Sequence, residues 1–226
     1  MQTSRCLGLV GGLGVGATVH YYQRLAQGCE QRGLTLDIVI TNAYTPRVFQ
    51  YVEAKNRAGL AEYLNTFIHR MKAAGAELAV IPAVTPHYAI EELAVMSPLP
   101  ILSIFNPLRA ELSRRAIRRV AIFGTRFVVE SDFFGDLANV EIVRPHPNEI
   151  DVIHSTYVDL AAAGKGSPEK RDKLAAIAKT LVERDGVQSI LLAGTDLTLV
   201  FDETTADFSC LDCAAAHIAE ILKSLA

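Results

Sequence analysis

A chain of 226 residues with 50% hydrophobic side chains is long enough to bury one large α/β core or two small ones. Its formal net charge of −3 and pI near 6.1, with no block of five or more like charges, exclude the basic field that holds a nucleic-acid backbone. No apolar run approaches the roughly 18 residues of a membrane span, and MQTSRCLGLVGGLG lacks the long apolar core of a signal peptide, so the expectation is a cytoplasmic protein without a membrane partner.

In chain order the pattern predicts a strand over 6–10, a helix over 17–32, a strand over 36–41 and a helix over 57–74. A strand over 78–82, a helix over 86–95, a strand over 101–104 and a helix over 108–116 follow. The remainder reads as a strand at 119–124, a helix at 128–137, a strand at 140–143, helices at 147–163 and 169–185, a strand at 189–193 and a last helix at 212–225. Short runs rich in Val, Ile and Leu that alternate with amphipathic stretches are the mark of parallel sheets with crossover helices. RRAIRR at 114–119, the most basic patch, fits a helix C-terminus, where cations offset the carbonyl end of the dipole. Cys6, Cys29, Cys210 and Cys213 are too few and scattered for a disulfide framework, and the CxxC of Cys210 and Cys213 has no second pair or histidine cluster to complete a metal site.

Two halves of the chain rhyme. LAVIPAVTP at 78–86 and ILLAGTDLT at 190–198 are both apolar runs that end in a small residue followed by Thr, and CLGLVGG near the start echoes RVAIFGT at 119–125. A duplicated α/β unit is therefore expected, with the two polar strand ends flanking one ligand cleft. The proline-rich MSPLPILSIFNPL is the expected crossing, which gives an N-terminal domain of 1–100 plus 207–226 and a C-terminal domain of 101–206.

LVGGLGVGATVHYY sets Gly11, Gly12, Leu13 and Gly14 between a strand and a helix. The spacing nominally fits a dinucleotide loop, but the second strand, LTLDIVITN, ends in Thr41 and Asn42 without the acid that would hold a ribose. N–H groups at a helix start suit a small carboxylate equally well, and that is the preferred reading.

GLVGGLG, PAVTPH, RRVAIFGTRFVVESDFF and LLAGTDL occur in the order seen in the aspartate/glutamate racemase superfamily, and the chain resembles that superfamily along essentially its whole length. GTRFVVESDF at 124–133 is the most specific piece and is similar to the bacterial broad-specificity branch. The resemblance implies an α/β fold of two pseudo-symmetric Rossmann-like domains, each a parallel sheet flanked by helices, with substrate held between them. It also implies PLP-independent isomerase chemistry, no cofactor, no metal and a homodimer.

Such chemistry removes a weakly acidic α-proton from one face of an amino acid and returns a proton to the other, and in the family two cysteine thiols do this within Pro-Cys-Asn-Thr-x-His and Gly-Cys-Thr-Glu. Here the same segments read Pro82-Ala83-Val84-Thr85-Pro86-His87 and Ala193-Gly194-Thr195-Asp196. Both thiol positions are vacant, at Ala83 and Gly194, and none of the four cysteines replaces them by motif. Cys213, at the head of the last helix, reads as structural.

What remains can still hold an acid. The resemblance places Gly11 to Gly14, Ala83, Val84, Thr85, Thr125, Arg126, Gly194 and Thr195 around the substrate, with Lys165 against a distal carboxylate. Arg47 is a second carboxylate candidate, because a guanidinium binds that group bidentately, and Tyr44 lies close to it in sequence. His87 and Asp196 are the titratable groups beside the vacant positions: each is either a general base, supported by Thr85 and Thr195, or a residue bonded within the fold. The expected ligand is a small amino or carboxylic acid. Three functions are open: an isomerase or lyase with altered one-base chemistry, a non-catalytic binder, and a racemase using substitute acid and base groups.

Overall fold

The computed structural model describes residues 2–131, 137 and 140–225. In chain order it has β1 (Gln2–Thr3), β2 (Leu7–Gly11), α1 (Val15–Glu30), β3 (Leu34–Thr35), β4 (Ile38–Asn42), α2 (Thr45–Glu53), α3 (Arg57–Ala73), β5 (Leu78–Val80), a 3-10 turn (Thr85–Ala89), α4 (Ile90–Met96) and β6 (Ile101–Leu102). These are followed by α5 (Phe105–Arg114), β7 (Arg119–Phe123), α6 (Arg126–Glu130), β8 (Glu141–Val143), α7 (Pro147–Ala163), α8 (Pro168–Asp185), β9 (Ser189–Leu192), a second 3-10 turn (Thr195–Leu199), β10 (Cys210–Asp212) and α9 (Cys213–Ser224). The chain packs as two units, residues 1–104 with 217–226, and residues 105–216.

Each unit has its own four-stranded parallel sheet, ordered β4-β2-β5-β6 in the first and β8-β7-β9-β10 in the second. Numbered by appearance within its unit, each sheet runs 2-1-3-4, so β2 matches β7 and β5 matches β9. Those are the strand pairs whose sequences rhyme. Both central strands are buried on both faces, as parallel strands covered by helices must be: Leu7, Leu9, Val10, Ala79, Val80, Val120, Ala121, Phe123 and Ile190 to Leu192 have no exposed surface. Apolar residues at helical spacing cover the first sheet from α3 (Leu60, Leu64, Ile68, Met71) and the second from α8 (Leu174, Ala178, Leu181). The helices α7 and α8 end at Gly164 and Gly186, whose left-handed φ of 61° and 63° stops each one.

Six elements differ from the sequence reading, two of them the short strands β1 and β3, which pair with each other and were not expected. The helix α2 was not expected; Pro46 stands in its first turn, where a missing N–H costs nothing. The expected helix at 86 opens instead as a 3-10 turn, and the expected helix at 128–137 is α6, with 132–136 outside the described residues, as are Asp132 and Phe133 of the family-like segment. Cys210–Asp212, read as part of the last helix region, is a strand paired with β9 in register Cys210↔Ile190. That pairing keeps the chain in the second unit until residue 216, so it returns to the first at 217 and not at 207. Among the described residues no helix is long and apolar enough to cross a membrane.

Two histidines clamp the end of β6. The carbonyl of Leu102 lies 2.8 Å from His217 Nε2, and the hydroxyl of Tyr21 lies 3.1 Å from His217 Nδ1. Only a protonated Nε2 can donate to a carbonyl, so Nδ1 accepts from the tyrosine. His87 carries its proton on the other nitrogen: Nδ1 is 2.8 Å from the Ala83 carbonyl, and Nε2 accepts from the Ile104 amide at 3.2 Å. Burial, opposed by the carbonyl of Ala83, pulls His87 down to about 4. Burial and the neighbouring His87 pull His217 down to about 3, against the carbonyl of Leu102.

In the first unit Gly28 of α1 lets the C-terminal helix approach: a Cβ there would stand 2.4 Å from Leu222 Cδ1. Gly28→Ile should therefore destabilise the chain by about 1–3 kcal/mol through overpacking, and adding Leu222→Ala should recover part of the loss in urea unfolding. The histidine pair generates a second expectation. Unfolded histidines take up protons near 6.5, whereas the folded pair resists until about 4 and 3. Their contribution is thus fully present above the unfolded value and is lost as pH falls through the folded ones, at up to about 1.4 kcal/mol per pH unit for each group. Asp212, raised by burial to about 6, works in the opposite sense and offsets part of this. Urea midpoints should fall between pH 7 and pH 5, and His217→Gln should flatten that fall; an equally steep fall in the variant would count against the clamp as its source.

Candidate functional site

In an open parallel sheet, ligands bind beyond the carboxyl ends of strands at the point where strand order reverses. The 2-1-3-4 order places that reversal between β2 and β5 in the first unit and between β7 and β9 in the second. The loops to consider are therefore Gly11–Gly14 and Pro82–Thr85, then Gly124–Arg126 and Ala193–Asp196. All four were singled out from the sequence.

The glycine loop after β2 is held tightly. Gly12 has φ 77°, and a Cβ on it would lie 2.3 Å from the Ala43 carbonyl, so no other residue fits. Thr18 Oγ1 accepts from the Gly12 amide at 3.1 Å and donates to the Gly14 carbonyl at 2.9 Å, while Thr45 Oγ1 donates to the Gly12 carbonyl at 2.6 Å. No side chain caps α1 at Gly14, and no acid lies in its first turn, so the positive end of its dipole is uncompensated by this helix's own residues. Leu13 is buried beneath the loop.

After β5, Ala83, Val84 and Thr85 lead into the 3-10 turn, with Ala83 and Thr85 at 7% and 8% exposure. His87 is 1% exposed and spends both ring nitrogens on backbone. Held neutral with no ring lone pair left over, it is placed as a structural clamp and not as the general base considered for it.

The second unit is built differently at the matching position. Gly194 carries no side chain, yet no space is left open beside it. A Cβ on Gly194 would lie 2.2 Å from Cε2 of Tyr157, so a ring from α7 already fills that space. The Tyr157 hydroxyl donates to Asp196 Oδ2 at 3.4 Å. Burial, then the Asp196 carboxylate, push the phenol above its ordinary range, so it stays protonated at neutral pH. Thr195 and Asp196 are 1% and 0% exposed.

At the other loop of this unit Thr125 caps α6 by accepting from the Val128 amide at 3.3 Å, and His154, one turn before Tyr157 on α7, accepts the Arg126 amide at 3.1 Å. Burial lowers the His154 pKa, with Arg126 adding to the effect. The Arg126 guanidinium pairs with Glu130 at 2.8 Å and with Asp151. It is therefore engaged by two carboxylates of its own chain.

Arg47, Tyr44 and Lys165 are exposed. The Arg47 guanidinium lies 5.7 Å and 5.8 Å from the rings of Tyr51 and Tyr63, and the Tyr44 amide donates to the Tyr63 hydroxyl at 2.9 Å. Lys165 follows the left-handed Gly164 in the turn between α7 and α8. Among the described residues no group of three or more His, Cys, Asp or Glu side chains is placed to hold a metal ion. Cys210 and Cys213 are buried thiols whose pKa burial raises, Cys210 to about 12, so neither is poised as a thiolate.

Tyr157 and His154 were missed from the sequence. Their signal was present in IHSTYVDL: two ring-bearing polar residues three apart, beside the buried stripe of Ile150, Ile153, Thr156 and Leu160.

The Asp/Glu/Hydantoin racemase family model matches residues 10–221. A candidate Asp/Glu racemase from Yersinia pestis has 22% identity and a TM-score of 0.82, over 97% of this chain and 98% of that one. An aspartate racemase homologue from Pyrococcus horikoshii OT3 has 21% identity and a TM-score of 0.80 over the same shares of the two chains. An aspartate racemase from Picrophilus torridus has 19% identity and a TM-score of 0.76, over 98% of this chain and 94% of that one. At these identities the solved structures speak for the fold, while the family match spans nearly the whole sequence: this chain belongs to the Asp/Glu/Hydantoin racemase family.

Proposed function

We propose that this protein acts on a small amino or carboxylic acid by one-base chemistry of the isomerase or lyase type, without the two-thiol proton exchange of its relatives. The observation that carries the reading is the paired loss at matching strand ends, Ala83 after β5 and Gly194 after β9. Neither residue can give or take a proton, and two-base racemisation needs a titratable group on each face of the substrate carbon.

The acid-binding parts remain. The N-terminus of α1, with no acid in its first turn, suits a carboxylate, and Thr85 and Thr195 place hydroxyls at the two equivalent turns. With His87 held by backbone on both nitrogens, Asp196 is the base in this reading. A non-catalytic binder is the second reading, favoured by the complete burial of Asp196 and its engagement by Tyr157.

Both enantiomers of aspartate and glutamate, and the matching dicarboxylates, incubated in heavy water and followed by NMR, separate these readings. The expected result is deuterium at Cα or a new product without interconversion of enantiomers, reduced at least about 100-fold in Asp196→Asn. Thermal stabilisation by an acid with no deuterium and no product would establish the binder. Interconversion of enantiomers would show a racemase working through substitute groups.

A further inference from the structure

In the first unit the outer edge of β4 is left without a partner. The strand spans five residues, IVITN, and stands at the end of its sheet. Leu7 donates to the Asp37 carbonyl and Ala43 to the Gly11 carbonyl, each at 2.9 Å, so Asp37, Val39, Thr41 and Ala43 face β2. The amides and carbonyls of Ile38, Ile40 and Asn42 therefore point away from the sheet, and no described residue bonds them. None of the five residues is buried, although three are β-branched aliphatics.

The other sheet edges are short or blunted, as exposed edges normally are. β6 has two residues, and β8 has three and opens on Glu141, which pairs with Arg119. At β10 the outward amide of Asp212 donates to Glu203 Oε1 at 3.0 Å. β4 carries neither a proline nor a charge.

The helix lying over this edge is lopsided. A Cβ on Gly11 would meet Thr18 Cγ2 at 2.9 Å and Ile40 Cγ2 at 3.1 Å, so Thr18 of α1 and Ile40 of β4 meet on one face of the sheet. With about 3.6 residues per turn, the flank of α1 on the Thr18 side carries Val15, Val19 and Tyr22, all exposed. The opposite flank carries His20, Arg24 and Gln27. Exposed apolar side chains thus run from the helix to Ile40 with no charge among them.

We infer that the outer edge of β4 and the Val15, Val19 and Tyr22 flank of α1 form a docking surface for a second copy of this chain, whose β4 adds antiparallel to the first. A two-fold axis sets residues near it against their own kind, so a self-docking face must be free of charge there, as this one is. Ile40 placed opposite its copy also sets Ile38 against the copy's Asn42, which engages all three outward residues of each strand in about six hydrogen bonds. That axis stands perpendicular to the sheet, so both α1 helices lie on the same face and their apolar flanks meet over the joined edge. A lone foreign strand would pair the edge and leave the helix flank uncovered.

Sedimentation equilibrium of the wild type, Ile40→Lys and Val19→Glu tests the assignment. The wild type should be dimeric, and each variant should raise the dissociation constant at least about tenfold by bringing a charge into the joined face, with far-UV circular dichroism unchanged. Val95→Glu, at an exposed site on α4, should stay dimeric. Ile40→Cys gives an independent readout: hydrogen-bonded pairs of an antiparallel ladder stand about 5.5 Å apart at Cα, within disulfide reach, so mild oxidation should link two chains. Val95→Cys should not link. Where Ile40→Lys fails to fold, Val19→Glu and the cross-link decide. A wild type that is monomeric at every concentration reached, a dimer that survives both charged variants, open-ended assemblies, or a dimer in which Ile40→Cys does not link would each overturn the assignment.

Discussion

A parallel strand covered by helices on both faces has nowhere to display chemistry except beyond its carboxyl end. β5 and β9 are such strands, buried along their whole length, and each is followed by a short irregular stretch and a 3-10 turn. Everything distinctive about this protein follows from how those two ends are finished. The backbone there leaves the sheet ladder and must find other partners, because an unpaired buried amide or carbonyl costs about as much as a lost hydrogen bond. Side chains that satisfy it are then committed, and only the remainder can meet a ligand.

The first unit meets that demand with histidine. A neutral imidazole offers one donor and one acceptor, and His87 spends them on the Ala83 carbonyl and the Ile104 amide, tying the strand end to the segment after β6. His217 does the equivalent for Leu102 and Tyr21. Both rings are deeply buried and held neutral, the form whose desolvation is cheapest. A histidine used in this way is pinned by the very bonds that would have to break for it to take a proton.

The repeat was legible from the sequence because it is written in local patterns: the apolar runs of β2, β5, β7 and β9, and the small residue and threonine that close two of them. Ala83 and Gly194 stand at fixed places just after two of those runs. What was hidden depends on contacts distant in sequence. Nothing local to Gly194 says that a ring 37 residues earlier lies over it, and nothing in PAVTPH shows that Ile104 occupies His87. α2 holds Pro46 in its first turn, a residue whose effect depends on its place within the helix, and β10 was obscured by its length of three residues, too short for any period to show.

The two units have kept the strand order and lost the equivalence of their ends. In each, a pair of helices links the second strand to the third: α2 and α3 in the first, α7 and α8 in the second. The leading member is nine residues long in the first unit and 17 in the second. With its added turns α7 reaches across both loops of its sheet, His154 bonding the Arg126 amide and Tyr157 covering Gly194. The shorter α2 offers Arg47 and Tyr51, which engage each other and Tyr63 on the surface. A ring laid over Gly194 must be accompanied by glycine there, since even one methyl group would collide with it. The absent side chain at 194 and the tyrosine at 157 are therefore one structural feature.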